Sequence, residues 1–99
     1  MSTLSYESQH RRLRVTGSCG SVDDAPRIRE AVLTLARKSD LLIVDLTAVT
    51  EMTSEVGRAL LAAQEAAGTC RVTLVRKSDS PVDSCLREAQ PGISSDLRG

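Results

Sequence analysis

Residues 41–75 read LLIVDLTAVTEMTSEVGRALLAAQEAAGTCRVTLV, and three periodicities follow one another in them. Leu41–Leu46 is a short, almost continuously apolar run, the pattern of a central strand covered on at least one face. From Val56 onward, apolar residues recur at helical spacing: Val56, Leu60, Ala63 and Ala67 share one stripe, and Gly68 stops the helix. Then Cys70, Val72 and Leu74 alternate, as in a second strand. A strand, a helix and a strand in this order predict a right-handed crossover between parallel strands. The stretch TAVTEMT (47–53) is expected to be the connecting loop. The many alanines of the helix, with Gly57, leave a thin surface that can lie close to a sheet.

Outward from this unit the alternation continues. Upstream, Leu4 and Tyr6 alternate with polar residues, and so do Leu13 and Val15, predicting a hairpin that turns near His10 and Arg11. GSCGSVDD (17–24) reads as a loop. Asp24 and Pro26 suit the first turn of a helix whose inner face is Ile28, Ala31, Val32, Leu35 and Ala36. Downstream, Val82, Cys85, Leu86 and Ala89 share one face of a third helix. QPGISSDLRG (90–99) has little periodicity, and 91–99 is expected to be a loose tail. The fold expected over residues 1–99 is a single α/β domain: a small mixed β-sheet with helices packed on it, in the order strand-strand-helix-strand-helix-strand-helix.

Composition narrows the function. The chain has 99 residues, enough for one domain and a modest aliphatic core, with Tyr6 as its only aromatic residue. Thirteen basic residues balance thirteen acidic ones, so no overall field draws in nucleic acid or an anionic membrane. No apolar run is long enough for a membrane span, and the N-terminal residues lack the hydrophobic run of a signal peptide, so a cytoplasmic protein without membrane insertion is expected.

The usual equipment of an enzyme is missing as well. A hydrolase serine needs a histidine, and the single one, His10, falls in the hairpin turn. TGSCG (16–20) lacks the spacing of a nucleophile elbow, and no glycine-rich nucleotide loop occurs. Cys19, Cys70 and Cys85 with His10 do not have zinc-ligand spacing. No catalytic residue, metal or cofactor is expected. Asp23 and Asp24 read as solvated capping residues. Cys19, in the expected loop, is the one cysteine placed to react as a thiol sensor, since Cys70 and Cys85 fall in core phase.

Ser54 remains. A serine opening a helix offers its hydroxyl to the first free amides and stabilises the helix by about 1 kcal/mol. The same position suits a phosphate, because unpaired N–H groups and the helix dipole both favour an anion there. About −2 of charge added at that point would change the surface a partner touches.

LLIVDLTAVTEMTSEVGRALLAA (41–63) resembles the central signature of STAS domains, the fold of bacterial anti-sigma factor antagonists. The family's Asp-Leu strand end falls on Asp45 and Leu46, and its phosphorylated serine on Ser54. LRVTGSCGSVDDAPRIREAVLTL (13–35) resembles the family's strand, loop and Ala-Pro helix start, with Gly17, Ala25 and Pro26 in register. CRVTLVRKSDSPVDSCLREA (70–89) resembles the strand, turn and helix that follow. The family's aspartate before the serine is Thr53 here, and Glu55-Val56 stands where Ser-Gly usually follows.

The resemblance implies an antagonist that binds an anti-sigma factor with serine kinase activity and releases a sigma factor. Ser54 would be its phosphate acceptor. Gly20, Ser21, Asp23, Thr53, Glu55 and Arg58 would form the docking face. The family also implies an alternative, an accessory subunit on the ATPase of a lipid-transporting ABC system, acting without phosphorylation. A monomer or weak homodimer is expected, the first strand being open to pairing if it lies at an edge.

Overall fold

The computed structural model describes residues 2–89; the expected tail at 91–99 lies outside them. Seven elements follow in the expected order: β1 (Ser2–Glu7), β2 (Arg12–Cys19), α1 (Asp24–Ala36), β3 (Leu41–Met52), α2 (Ser54–Ala66), β4 (Arg71–Val75) and α3 (Pro81–Ala89). The strands form one mixed sheet in the order β1-β2-β3-β4. β1 is antiparallel to β2, while β2–β3 and β3–β4 are parallel. Both crossovers step across the sheet in the same direction, so right-handed connections place α1 and α2 on one face. α3 packs against α2 and β3.

The core lies between that helical layer and the sheet. Leu13, Val15, Leu42, Val44, Leu46 and Val72 reach it from the strands, and Ile28, Val32, Val56, Leu60, Val82 and Leu86 from the helices. On the opposite face Arg14, Arg71 and Thr73 are exposed. A side-chain period of two along each strand produces this segregation. Tyr6 departs from expectation: it is in phase with the core but 39% exposed, because β1 projects past the helices.

β3 is twice as long as read from sequence, and the expected connector TAVTEMT is mostly strand. Between the Arg12–Ile43 and Cys19–Met52 pairs, β2 advances seven residues and β3 nine, with register shifts at two points. At the first, the Asp45 carboxylate accepts hydrogen bonds from the Thr47 amide (3.0 Å) and hydroxyl (2.7 Å). This local Asx-type contact holds an extra residue out of the ladder, as bulges require. The second shift adjoins Gly17, whose φ of 89° is open to glycine at little cost. Between the two shifts Val49 again faces the core, so the strand resumes.

Asp24 is a second correction. It is not a solvated cap but a fully buried carboxylate. One oxygen accepts from the Ser2 amide (3.3 Å), the Ser2 hydroxyl (2.8 Å) and Arg27 (3.3 Å); the other accepts from the Ser21 amide (3.0 Å). A single side chain therefore ties the start of β1, the loop after β2 and the first turn of α1. Burial pushes its pKa up, but the hydrogen bonds from Ser2 and Ser21 together outweigh it and hold the carboxyl below its ordinary value.

Removing these bonds in Asp24→Ala leaves buried donors unmatched and is expected to cost about 1–3 kcal/mol in urea unfolding at neutral pH. A carboxyl depressed in the folded state contributes fully above its unfolded pKa of about 4, and the contribution is lost as pH falls through the folded value. Wild-type stability is therefore expected to fall more steeply on acidification than that of Asp24→Asn. Parallel acid profiles of the two proteins would contradict this account of the carboxylate.

Candidate functional site

β2 and β3 end together, and α2 starts at that point. The Thr53 amide donates to the Cys19 carbonyl at 3.2 Å, extending the parallel ladder by one bond beyond the last paired residues. Thr53 then leaves the strand with extended backbone angles and becomes the N-cap of α2, its hydroxyl accepting from the Val56 amide at 3.4 Å. Its carbonyl accepts from the Gly57 amide (3.1 Å) and from the Cys85 thiol (3.3 Å). Every polar group of Thr53 is thus engaged in joining the sheet, α2 and α3.

Ser54 is consequently not the cap. It occupies the first helical position, is exposed, and makes no side-chain hydrogen bond among the described residues. The amides of Ser54 and Glu55 lie in the first turn, where no intrahelical carbonyl exists to receive them. Glu55 is exposed beside the serine. Arg58, four residues on, occupies the same helical face one turn above Ser54 and forms no ion pair among the described residues.

The loop residues divide. Gly20 stands at the site: a Cβ built on it would lie 3.4 Å from the Glu51 carboxylate and 3.5 Å from the Ser18 hydroxyl. Ser21 is turned inward, its amide on Asp24 and its hydroxyl accepting from the Asp23 amide at 3.3 Å. Asp23 is exposed and borders a groove between β1 and α1 with Pro26 and Arg27. The end of β2 and the start of α2 therefore bring Gly20, Thr53, Ser54, Glu55 and Arg58 to one region, with Ser21 supporting it and Asp23 on the groove side of the same loop.

Three residues were not anticipated. The Ser18 hydroxyl donates to the Glu51 carboxylate at 3.0 Å, on the surface beside Gly20. Their juxtaposition depends on the second register shift, which no periodicity in the sequence announces. Cys85 is half-buried on α3, and α3 can approach because residue 57 is glycine: a Cβ there would lie 3.0 Å from the Cys85 sulfur. Burial, then Glu88, push the Cys85 thiol pKa up, so the protonated thiol needed to donate to Thr53 is favoured.

Cys19 is not a loop thiol. It ends β2, is fully buried, and its pKa is pushed up by burial and then by Asp24, the opposite of a reactive thiolate. Among the described residues no cluster of three His, Cys, Asp or Glu side chains is placed to hold a metal, and no helix is long and apolar enough to cross a membrane.

No family model and no curated protein matches the chain. A solved crystal structure of Mglu is similar to it with a TM-score of 0.60 and 13% sequence identity, over 79% of this chain and 20% of that one. At that identity the likeness shows a shared fold alone, and this chain spans a fifth of the length of that protein.

Because the cap lies on Thr53, Thr53→Ala is expected to destabilise the protein by about 1 kcal/mol, whereas Ser54→Ala stays within about 0.5 kcal/mol of wild type. Urea midpoints of the two variants measure this directly. The reverse order would return the capping role to Ser54.

Proposed function

We propose that the chain is an anti-sigma factor antagonist whose binding face is the start of α2 with the adjoining end of β2, and that phosphorylation of Ser54 switches it. The observation that carries this is the division of labour between neighbours. Thr53 caps and anchors the helix, so Ser54 is left exposed with no structural duty. A hydroxyl so placed can be modified without unfolding the domain. The positive end of the helix dipole and Arg58 one turn away favour the phosphate that results. Glu55 opposes it, and the Glu51 carboxylate is partly engaged by Ser18.

The chemistry expected of the chain is that of a substrate and competitor. The kinase would supply ATP and catalysis; this chain would supply the acceptor oxygen and the surface. A phosphate on Ser54 would add negative charge beside exposed Glu55, altering the face that the kinase must touch to remain bound.

The test is capture from the native host's lysate on wild-type and Ser54→Asp baits, followed by titration of the purified partner. An ATP-binding anti-sigma factor held by wild type is expected to bind Ser54→Asp at least tenfold more weakly, a difference of about 1.4 kcal/mol. Equal affinities would remove the switch. Capture of a transporter ATPase on both baits would replace the antagonist with a permanent accessory subunit.

A further inference from the structure

The sheet has two edges, and they are defended differently. β4 opens on exposed Arg71 and runs directly into Arg76 and Lys77. Charged side chains at an edge oppose pairing with another strand. β1 reads STLSYE, with no charge before Glu7 and no proline. It pairs with β2 over all six residues without a register shift. The Ser2 amide and carbonyl are held by Asp24 and Arg27; beyond Ser2 the outer side is a straight row of free backbone groups.

Its helix-facing side is also open. Leu4 and Tyr6 lie opposite Val15 and Leu13, in phase with the core, yet α1 packs over β2 and β3. Between β1 and α1 runs an open groove of about 950 Å³, lined by Leu4, Tyr6, Leu13, Pro26, Ala31 and Leu35. Arg27 and Glu30, of opposite sign, stand among the polar residues bordering it.

We propose that a second copy of this chain covers the groove, its β1 added antiparallel to this β1 across a two-fold axis at Ser5. Opposite residues of an antiparallel pair share a face of the sheet. A dyad at Ser5 places Leu4 opposite the partner subunit's Tyr6, Tyr6 opposite the partner's Leu4, and Thr3 opposite the partner's Glu7. Both apolar side chains of β1 then meet an apolar partner on the grooved side, and no like charges face each other. The neighbouring register, with the dyad at Leu4, would set Tyr6 against the partner's Ser2; in this chain Ser2 is buried and held by Asp24. A two-fold pairing closes on itself, making one continuous sheet without open growth. The zero formal net charge of the chain removes any overall repulsion between copies.

Tyr6 is the chain's only aromatic residue, so its emission reports this face without background. Sedimentation equilibrium and tyrosine emission, followed from micromolar to millimolar concentration, are expected to show one coincident monomer–dimer transition. Tyr6→Glu is expected to raise the dissociation constant at least tenfold with an unchanged circular dichroism spectrum. A second variant fixes the register: opposed Cα atoms in such a ladder lie about 4.5–5.5 Å apart, within disulfide range. Ser5→Cys in a Cys85→Ser background should cross-link two chains on mild oxidation, and Thr3→Cys should not. A monomer at every concentration, a dimer indifferent to Tyr6→Glu, or a cross-link at Thr3→Cys without one at Ser5→Cys would each overturn the proposal.

Discussion

The bond from the Thr53 amide to the Cys19 carbonyl fixes where the two central strands stop and α2 begins. Its net contribution is that of one hydrogen bond, about 1 kcal/mol. Its consequence is geometric. Thr53 is held at the end of the ladder, so its hydroxyl falls on the Val56 amide and its carbonyl toward the Gly57 amide and the Cys85 thiol. From one residue the direction of α2, the close approach of α3 at Gly57 and the exposure of Ser54 all follow. The apolar core supplies most of the driving force, but it is non-directional and would not by itself engage one hydroxyl and leave the next one free.

A comparable node operates at the other end of the same loop. Asp24 receives donors from β1 and from Ser21, so the loop leaving β2 is tied where it turns into α1. Gly20 lies between the two nodes, its position in space set by Cys19 on one side and Ser21 on the other. A chain without Phe or Trp has only aliphatic side chains to fill its interior, and these specify position weakly. The buried carboxylate and the anchored threonine contribute the directional bonds that such a core lacks.

Much of this was legible from the residues alone. Periods of two and of 3.6 located β1, β2, β4 and the three helices, because each exposes a polar side and buries an apolar one; β4 and α2 are the clearest cases. β3 was cut short because its apolar run ends at Leu46, and the first bulge, held by Asp45 and Thr47, breaks the pattern there. Asp24 was misplaced because an acidic residue at a helix start looks the same whether it faces water or a buried serine. Ser54 and Thr53 were exchanged as cap because boundaries shift by a residue unless cap geometry is known. Cys19 followed from the same cause: once the strand runs to its end, the thiol points inward. The candidate site was thus legible as a region and not as an arrangement.

Two surfaces are then presented at different places on the domain: the start of α2, whose chemistry suits an anion, and the edge of β1, whose chemistry suits another strand. At the first, the phosphate proposed for Ser54 would sit on a surface already formed. The most direct measurement is the amide spectrum of the chain before and after phosphate is installed at Ser54, with a thermal melt of each form. Shifts confined to residues 18–23 and 51–58, with the melting temperature preserved, are predicted. Shifts spread through the core, or a domain that unfolds on modification, would contradict the account.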